Sequence, residues 1–299
     1  FRGDRLTAWA LTGANAGESE TRRTNHRALR PLADAVLLPD GTRVALTRNR
    51  ELVTLSDSGE AASFGSAALP PTTSFQMSLI YDAVQPSLLV FYGRSASGES
   101  LGITRVALDG STAEPVAFAG IEPGVRGAAP VITHNGQVYI VGGQGEGIRS
   151  RADIIALDLR TMVWREVAEM PVARSFAQLM VVENELWIIG GTDEFRHVER
   201  IDALDLDSGT LREVAVDGAW PDQSIAAGVR LGPRRFRLRR DGEDIGSTWT
   251  MWEIETSDRA AFRVVNTCLR WPGGQGILRS PTEAWLSVSN SLYIISDAP

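Results

Sequence analysis

Lysine is absent from this chain, and all 30 of its basic residues are arginine. GC-rich coding, as in a bacterial gene, is the expected source of the bias, and it makes bidentate guanidinium–carboxylate recognition the available cationic chemistry. A single cysteine, Cys268, excludes an intrachain disulfide and removes redox chemistry as a guide to compartment. No run of eighteen apolar residues occurs, which excludes a membrane-spanning helix. Basic residues fall short of the 37 acidic ones, and the resulting charge of -7 opposes the phosphate attraction on which nucleic-acid binding rests. The chain opens on Phe1 rather than Met, as a processed or longer protein would, and a secreted, periplasmic or cell-surface location is the expectation.

Hydrophobic residues make up 43% of the chain, ample for a buried core, and they are organised by a repeat. A phrase of small-or-polar, Leu or Ile, then polar returns about every fifty residues. Its copies are Ala10-Leu11-Thr12, Thr54-Leu55-Ser56, Ala107-Leu108-Asp109, Ala156-Leu157-Asp158, Ala203-Leu204-Asp205 and Glu253-Ile254-Glu255. Ahead of it lies an apolar run ending in glycine, as in Tyr139-Ile140-Val141-Gly142-Gly143 and Trp187-Ile188-Ile189-Gly190-Gly191. A further apolar strand precedes that run across turn residues such as Asp40-Gly41 and Asn135-Gly136, which are strong hairpin signals. A fourth strand follows, as in Trp164-Arg165-Glu166-Val167.

Each repeat therefore predicts four antiparallel strands, A to D. One such sheet cannot hide both faces, so sheets must stack, and radial stacking leaves only short, protected edges. Prolines 31, 71, 123, 171, 221 and 272 mark the boundaries. The expected fold is a single all-β domain over 1–299, a six-bladed propeller. Its blades span about 31–70, 71–122, 123–170, 171–220, 221–271, and 272–299 joined to 1–30. In the last, the C-terminus supplies strands A and B, and residues 7–31 supply strands C and D, closing the ring.

The diglycines, the later Trp164 and the Met170-Pro171-Val172-Ala173-Arg174 junction resemble the Kelch family of β-propellers, best over Val138 to Val214. The resemblance implies a rigid scaffold that presents loops to partners. Longer B–C loops at 94–101, 144–151, 192–199 and 240–247 mark the face where function is expected.

Three residues after the boundary prolines stand Asp34, Ser74, Arg126, Arg174, Ser224 and Gln275, all polar. The expectation is a polar channel mouth in which Arg126 and Arg174 hold a ligand carboxylate. Arg149, Arg151, Glu194, Arg196 and His197 extend that patch from the loops. The expected function is a non-catalytic binding or scaffold module for a protein, peptide or glycan. The alternatives are a carbohydrate-processing enzyme resembling the six-bladed Kelch sialic-acid mutarotases, and a structural subunit of a larger surface assembly. The latter would use the outer strands or the basic strand Arg234 to Arg240. No catalytic set, metal site or cofactor is expected. His26, His134 and His197 fall on different parts of the repeat, and Asp158, Asp202, Asp205 and Asp207 read as polar strand ends and turns rather than calcium ligands.

Overall fold

The computed structural model describes residues 33–56, 61–71, 77–93, 101–194, 196–217 and 220 with side chains, apart from that of Ile148. It further describes the backbone of residue 32 and of strands at 19–25, 225–231, 235–240, 248–256, 260–270, 274–276, 283–288 and 291–297. No α-helix occurs among the described residues, and nearly every strand pairing is antiparallel.

After β1 (Ser19–Asn25), a first sheet runs β2 (Leu32–Leu37), β3 (Arg43–Thr47), β4 (Leu52–Leu55) and β5 (Ala61–Ser63) in that order. The second holds β6 (Met77–Asp82), β7 (Ser87–Tyr92), β8 (Gly102–Val106) and β9 (Ala113–Pro115). The third contains β10 (Ala119–Gly120), β11 (Val131–His134), β12 (Gln137–Val141), β13 (Asp153–Asp158) and β14 (Val163–Glu169), ordered β10-β14-β13-β12-β11. The fourth comprises β15 (Gln178–Val182), β16 (Glu185–Ile189), β19 (Ile201–Asp205) and β20 (Leu211–Val214). A small hairpin of β17 (Thr192–Asp193) and β18 (Arg196–His197) is set into its middle loop. The fifth holds β21 (Val216–Asp217), β22 (Ile225–Leu231), β23 (Arg235–Arg240), β24 (Thr248–Thr256) and β25 (Ala260–Arg270), ordered β21-β25-β24-β23-β22. The sixth combines β26 (Gly274–Gly276), β27 (Glu283–Val288) and β28 (Ser291–Asp297) with β1.

Two compact units emerge: residues 1–49, 53–62 and 216–299, and residues 50–52 and 63–215. In the second unit the packing explains the apolar runs. Val138 and Ile140 of β12 join Leu89, Phe91 and Ile103 of the second sheet, together with Trp164, in one core. Tyr139 and Val141, the alternate residues of the same strand, join Leu186, Ile188 and Leu204 of the fourth sheet in another. A strand buried on both faces loses the polar alternation of a half-exposed one and reads as continuous hydrophobicity. In the first unit β22 lies beside β26 and β27, and β2 beside β26.

The turns follow their residues. Asn135 and Gly136 both take positive φ (48° and 74°), as the tight hairpin between β11 and β12 requires. The aspartate that ends the repeat phrase caps the next turn. The Asp158 Oδ1 accepts from the Arg160 and Thr161 amides, both at 2.9 Å, and the Asp205 Oδ1 accepts from those of Asp207 (3.1 Å) and Ser208 (2.7 Å). These bonds hold both carboxyls below the usual carboxylate range.

Three expectations need correction. The copy Ala107-Leu108-Asp109 lies past β8, in the turn, where the Gly110 amide donates to the Ala107 carbonyl. A turn-capping aspartate rather than strand position makes it look like the others, since the Asp109 Oδ1 accepts from the Ser111 amide. Two sheets have five strands rather than four, because β10 and β21 add in parallel to β14 and β25. In the sixth sheet, the strand bonded to β28 is Ser19–Asn25, with Ser19 opposite Asp297 and Asn25 opposite Ser291. The third position was expected near residue 11. Backbone pairing needs an extended segment and not the phrase itself, and β1 meets that need. Ala10-Leu11-Thr12 and His26 lie outside the described residues.

Candidate functional site

Arg126 enters the third sheet and Arg174 the fourth, each after a boundary proline, and both are withdrawn from solvent (2% and 0% exposed). The Arg126 Nε donates to the Pro123 carbonyl (2.8 Å) and Nη1 to that of Gly142 (3.1 Å). Its Nη2 pairs with Asp153 at the start of β13, which also holds Arg151 (Nη2–Oδ2 2.8 Å). The second instance repeats the first. The Arg174 Nη1 donates to the Gly190 carbonyl (3.3 Å), and Nη2 pairs with Asp202 of β19, which the Arg200 Nε also reaches (2.7 Å).

Electrostatics follow from burial and pairing. Burial alone would raise the Asp153 carboxyl, but hydrogen bonds and charge from Arg151 and Arg126 hold it at about 2. Burial pushes the Arg174 guanidinium down to about 10, and the neighbouring Arg200 adds to this, leaving it a cation at neutral pH. The carboxylate expected from a ligand is thus supplied by the chain itself. The forks of Arg126 and Arg174, expected to hold a ligand carboxylate, are engaged by Asp153 and Asp202 in this structure.

The main chain of the same residues ties neighbouring sheets. The Arg126 amide donates to the Gly93 carbonyl (2.8 Å), and the Gly143 amide donates to the Arg174 carbonyl (3.0 Å). Gly142 takes φ +53°, and a Cβ there would overlap the Arg174 carbonyl oxygen. Each junction arginine therefore rests its backbone on the glycine turn of the preceding sheet and its guanidinium on that of its own.

The other expected site residues are dispersed. Asp34 is buried (4% exposed), with its Oδ1 accepting from the Ala35 amide at 3.0 Å. Ser74 and Ser224 lie outside the described residues, and of Gln275 only the backbone, in β26, is described. Arg151 is half-buried on Asp153. Arg149, Glu194, Arg196 and His197 are exposed on the loops, with His197 paired to Thr192 and Arg196 to Asp193 across the β17–β18 hairpin. His134 is half-buried at the end of β11, away from that hairpin in the chain. Among the described residues no three His, Cys, Asp or Glu side chains cluster as metal ligands would.

One residue escaped the sequence reading. Phe176, two positions after Arg174, takes φ +57° and is 45% exposed, and Ala128, two positions after Arg126, takes φ +54°. Positive φ is an outlier for a bulky residue. Ser175 bridges Thr192 in both directions (2.9 and 2.8 Å), and the Phe176 amide donates to the Ala128 carbonyl (2.9 Å). The Ser150 Oγ also donates to the Thr192 carbonyl (3.3 Å). These bonds bring Phe176, the 144–151 loop and the 192–197 hairpin to one surface.

A relative of known kind shares part of this chain. An F-box/kelch-repeat protein of Arabidopsis thaliana is 26% identical over 83 residues, covering 28% of this chain and 20% of the plant protein. The chain thus spans only a fifth of that relative's length. The sequence model of the KLHDC2/KLHL20/DRC7 Kelch-repeats domain matches residues 49–229, more than half of the chain. The chain belongs to the Kelch-repeat family of β-propellers.

Proposed function

We propose that the protein is a non-catalytic, protein-binding Kelch propeller. Its six sheets would form one closed ring, with β1 of the sixth sheet as the closing strand, and it would engage its partner through the loop face of the third and fourth sheets. Exposed Phe176 carries this reading. A bulky aromatic held in a left-handed conformation by the main-chain bonds of Ser175 and of its own amide pays strain to face solvent, and such strain collects at functional surfaces. On the loops joined to it by these bonds, exposed Arg149, Arg196, His197 and Glu194 would supply a mixed-charge polar rim. An aromatic anchor within a polar rim is the arrangement of a protein-binding hot spot. The internal pairing of Arg126 with Asp153 and of Arg174 with Asp202 favours this reading over a sugar-carboxylate role for the two arginines.

The test is affinity purification from the native source with wild-type protein and with the triple variant Phe176→Ala, Arg149→Glu, Arg196→Glu. A partner recovered by the wild type and lost by a variant of unchanged circular dichroism and melting temperature is the expected result. A partner retained by the folded variant would overturn the assignment of this face.

A further inference from the structure

Two sheets owe their fifth strand to the segment that leads into them. β10 lies parallel to β14, with Ala119 opposite Val163 and Gly120 opposite Trp164. The Ala119 amide donates to the Met162 carbonyl (2.9 Å) and that of Ile121 to the Trp164 carbonyl (3.2 Å). β21 lies parallel to β25 in the same way, Val216 opposite Ala260 and Asp217 opposite Ala261. In sequence both segments read apolar-x-Gly: Phe118-Ala119-Gly120 and Val216-Asp217-Gly218. The first glycine has a steric reason, for Gly120 takes φ +91° and a Cβ there would overlap the Trp164 carbonyl oxygen. The apolar residue has one too, since Phe118 meets Trp164 edge-on, ring centres 6.3 Å apart.

The fourth sheet stops at β20. Residues 116–130 connect β9 to β11, whereas the shorter stretch 170–177 connects β14 to β15 and contains no glycine. It runs from Met170 straight to the Arg174 clamp and leaves nothing to lay along the next edge. Leu211 occupies the place of Trp164: Trp164 pairs with Leu157 and Leu211 with Leu204, the centres of two successive repeat phrases. The Asp205 amide donates to the Thr210 carbonyl (3.0 Å). By the alternation of an antiparallel ladder, the Leu211 N–H and C=O then point away from β19. No strand among the described residues pairs with that side of β20. An edge with outward N–H and C=O groups is a template for strand addition.

We propose that β20 accepts an extended apolar-x-Gly segment of a partner protein, added in parallel as a fifth strand with its glycine opposite Leu211. The chain carries the template for this complex twice, in β10 on β14 and β21 on β25. The site is separate from the Phe176 surface and does not depend on it. The required partner chemistry follows from the templates. An apolar side chain two residues before the glycine covers Leu211, and the glycine permits close approach to its carbonyl.

The probe is a synthetic peptide of residues 116–122, Val-Ala-Phe-Ala-Gly-Ile-Glu, added to the full chain, with amide hydrogen exchange at Leu211 as the readout. Saturating peptide should slow that exchange by about tenfold or more. The same peptide with valine for glycine should not. Leu211→Pro, which removes an N–H that the sheet does not use, should abolish peptide binding, read by fluorescence anisotropy of the labelled peptide, with circular dichroism and melting temperature retained. Unchanged exchange at Leu211, or equal slowing by the valine peptide, would overturn the proposal. Concentration-dependent dimerisation through β20 without peptide protection would also overturn it, in favour of pairing between copies of the chain.

Discussion

The Arg174 guanidinium and the Asp202 carboxylate meet with both side chains fully withdrawn from solvent, 28 residues apart in the chain and on opposite sides of the Gly190-Gly191 turn. Two full charges removed from water hold each other only because the geometry also satisfies their remaining groups. Arg174 donates to the Gly190 and Arg200 carbonyls, and Asp202 receives Arg200. The pair welds the entry of the fourth sheet to the start of its third strand.

Asp202→Ala should therefore cost about 3–5 kcal/mol, the penalty of leaving a buried cation without its partner. Chemical denaturation would read the loss as a lower midpoint with unchanged slope. Arg174→Met combined with Asp202→Leu should recover most of it, because the desolvation cost of both charges disappears together. A double variant no better than the single one would show that the pair contributes more than its charge balance.

Acid should loosen the third sheet in a defined window. Asp153 sits at about 2 when folded, below the ordinary value of 3.8. A depressed carboxyl contributes stability above its unfolded value and loses it as pH falls through the folded one. Thermal melts of the wild type should thus decline between about pH 4 and pH 2. Asp153→Asn should start lower at neutral pH and decline less steeply across that window.

Pairing of β1 with β28 joins the two ends of the chain in one sheet. Removing residues 1–25 leaves β28 as an open edge and should lower the melting temperature and promote association on gel filtration. Cysteines at Thr21 and Ile295, which face each other across the pair, should crosslink under oxidation when Cys268 is replaced by Ser. Absence of crosslinking would contradict this register.

The Arg–Asp clamp was partly legible. Arg151-Ala152-Asp153 and Arg200-Ile201-Asp202 stand at matching places in successive repeats, following Arg126 and Arg174 by nearly equal spacings. What spacing lacks is burial. A polar residue three positions after a boundary proline reads as exposed when only its chemistry is known. The exposed aromatic was hidden for the opposite reason, since Phe176 sits in an apolar-rich junction and nothing in its identity reveals a left-handed backbone.

Sequence alone determined the repeat, the four-strand unit, the hairpin turns and the family. These rest on local rules, namely alternation, turn chemistry and spacing, which act over a few residues and leave their mark in order. Tertiary structure decided where the charges went. Whether an arginine meets a ligand or an aspartate 27 residues on depends on which loops close over it, and desolvation, which makes that choice matter energetically, is a property of the packed molecule. The same holds for the edges: whether a strand D is covered by a fifth strand or left open was set by how the linkers fold back, as β10 does on β14 and nothing described does on β20.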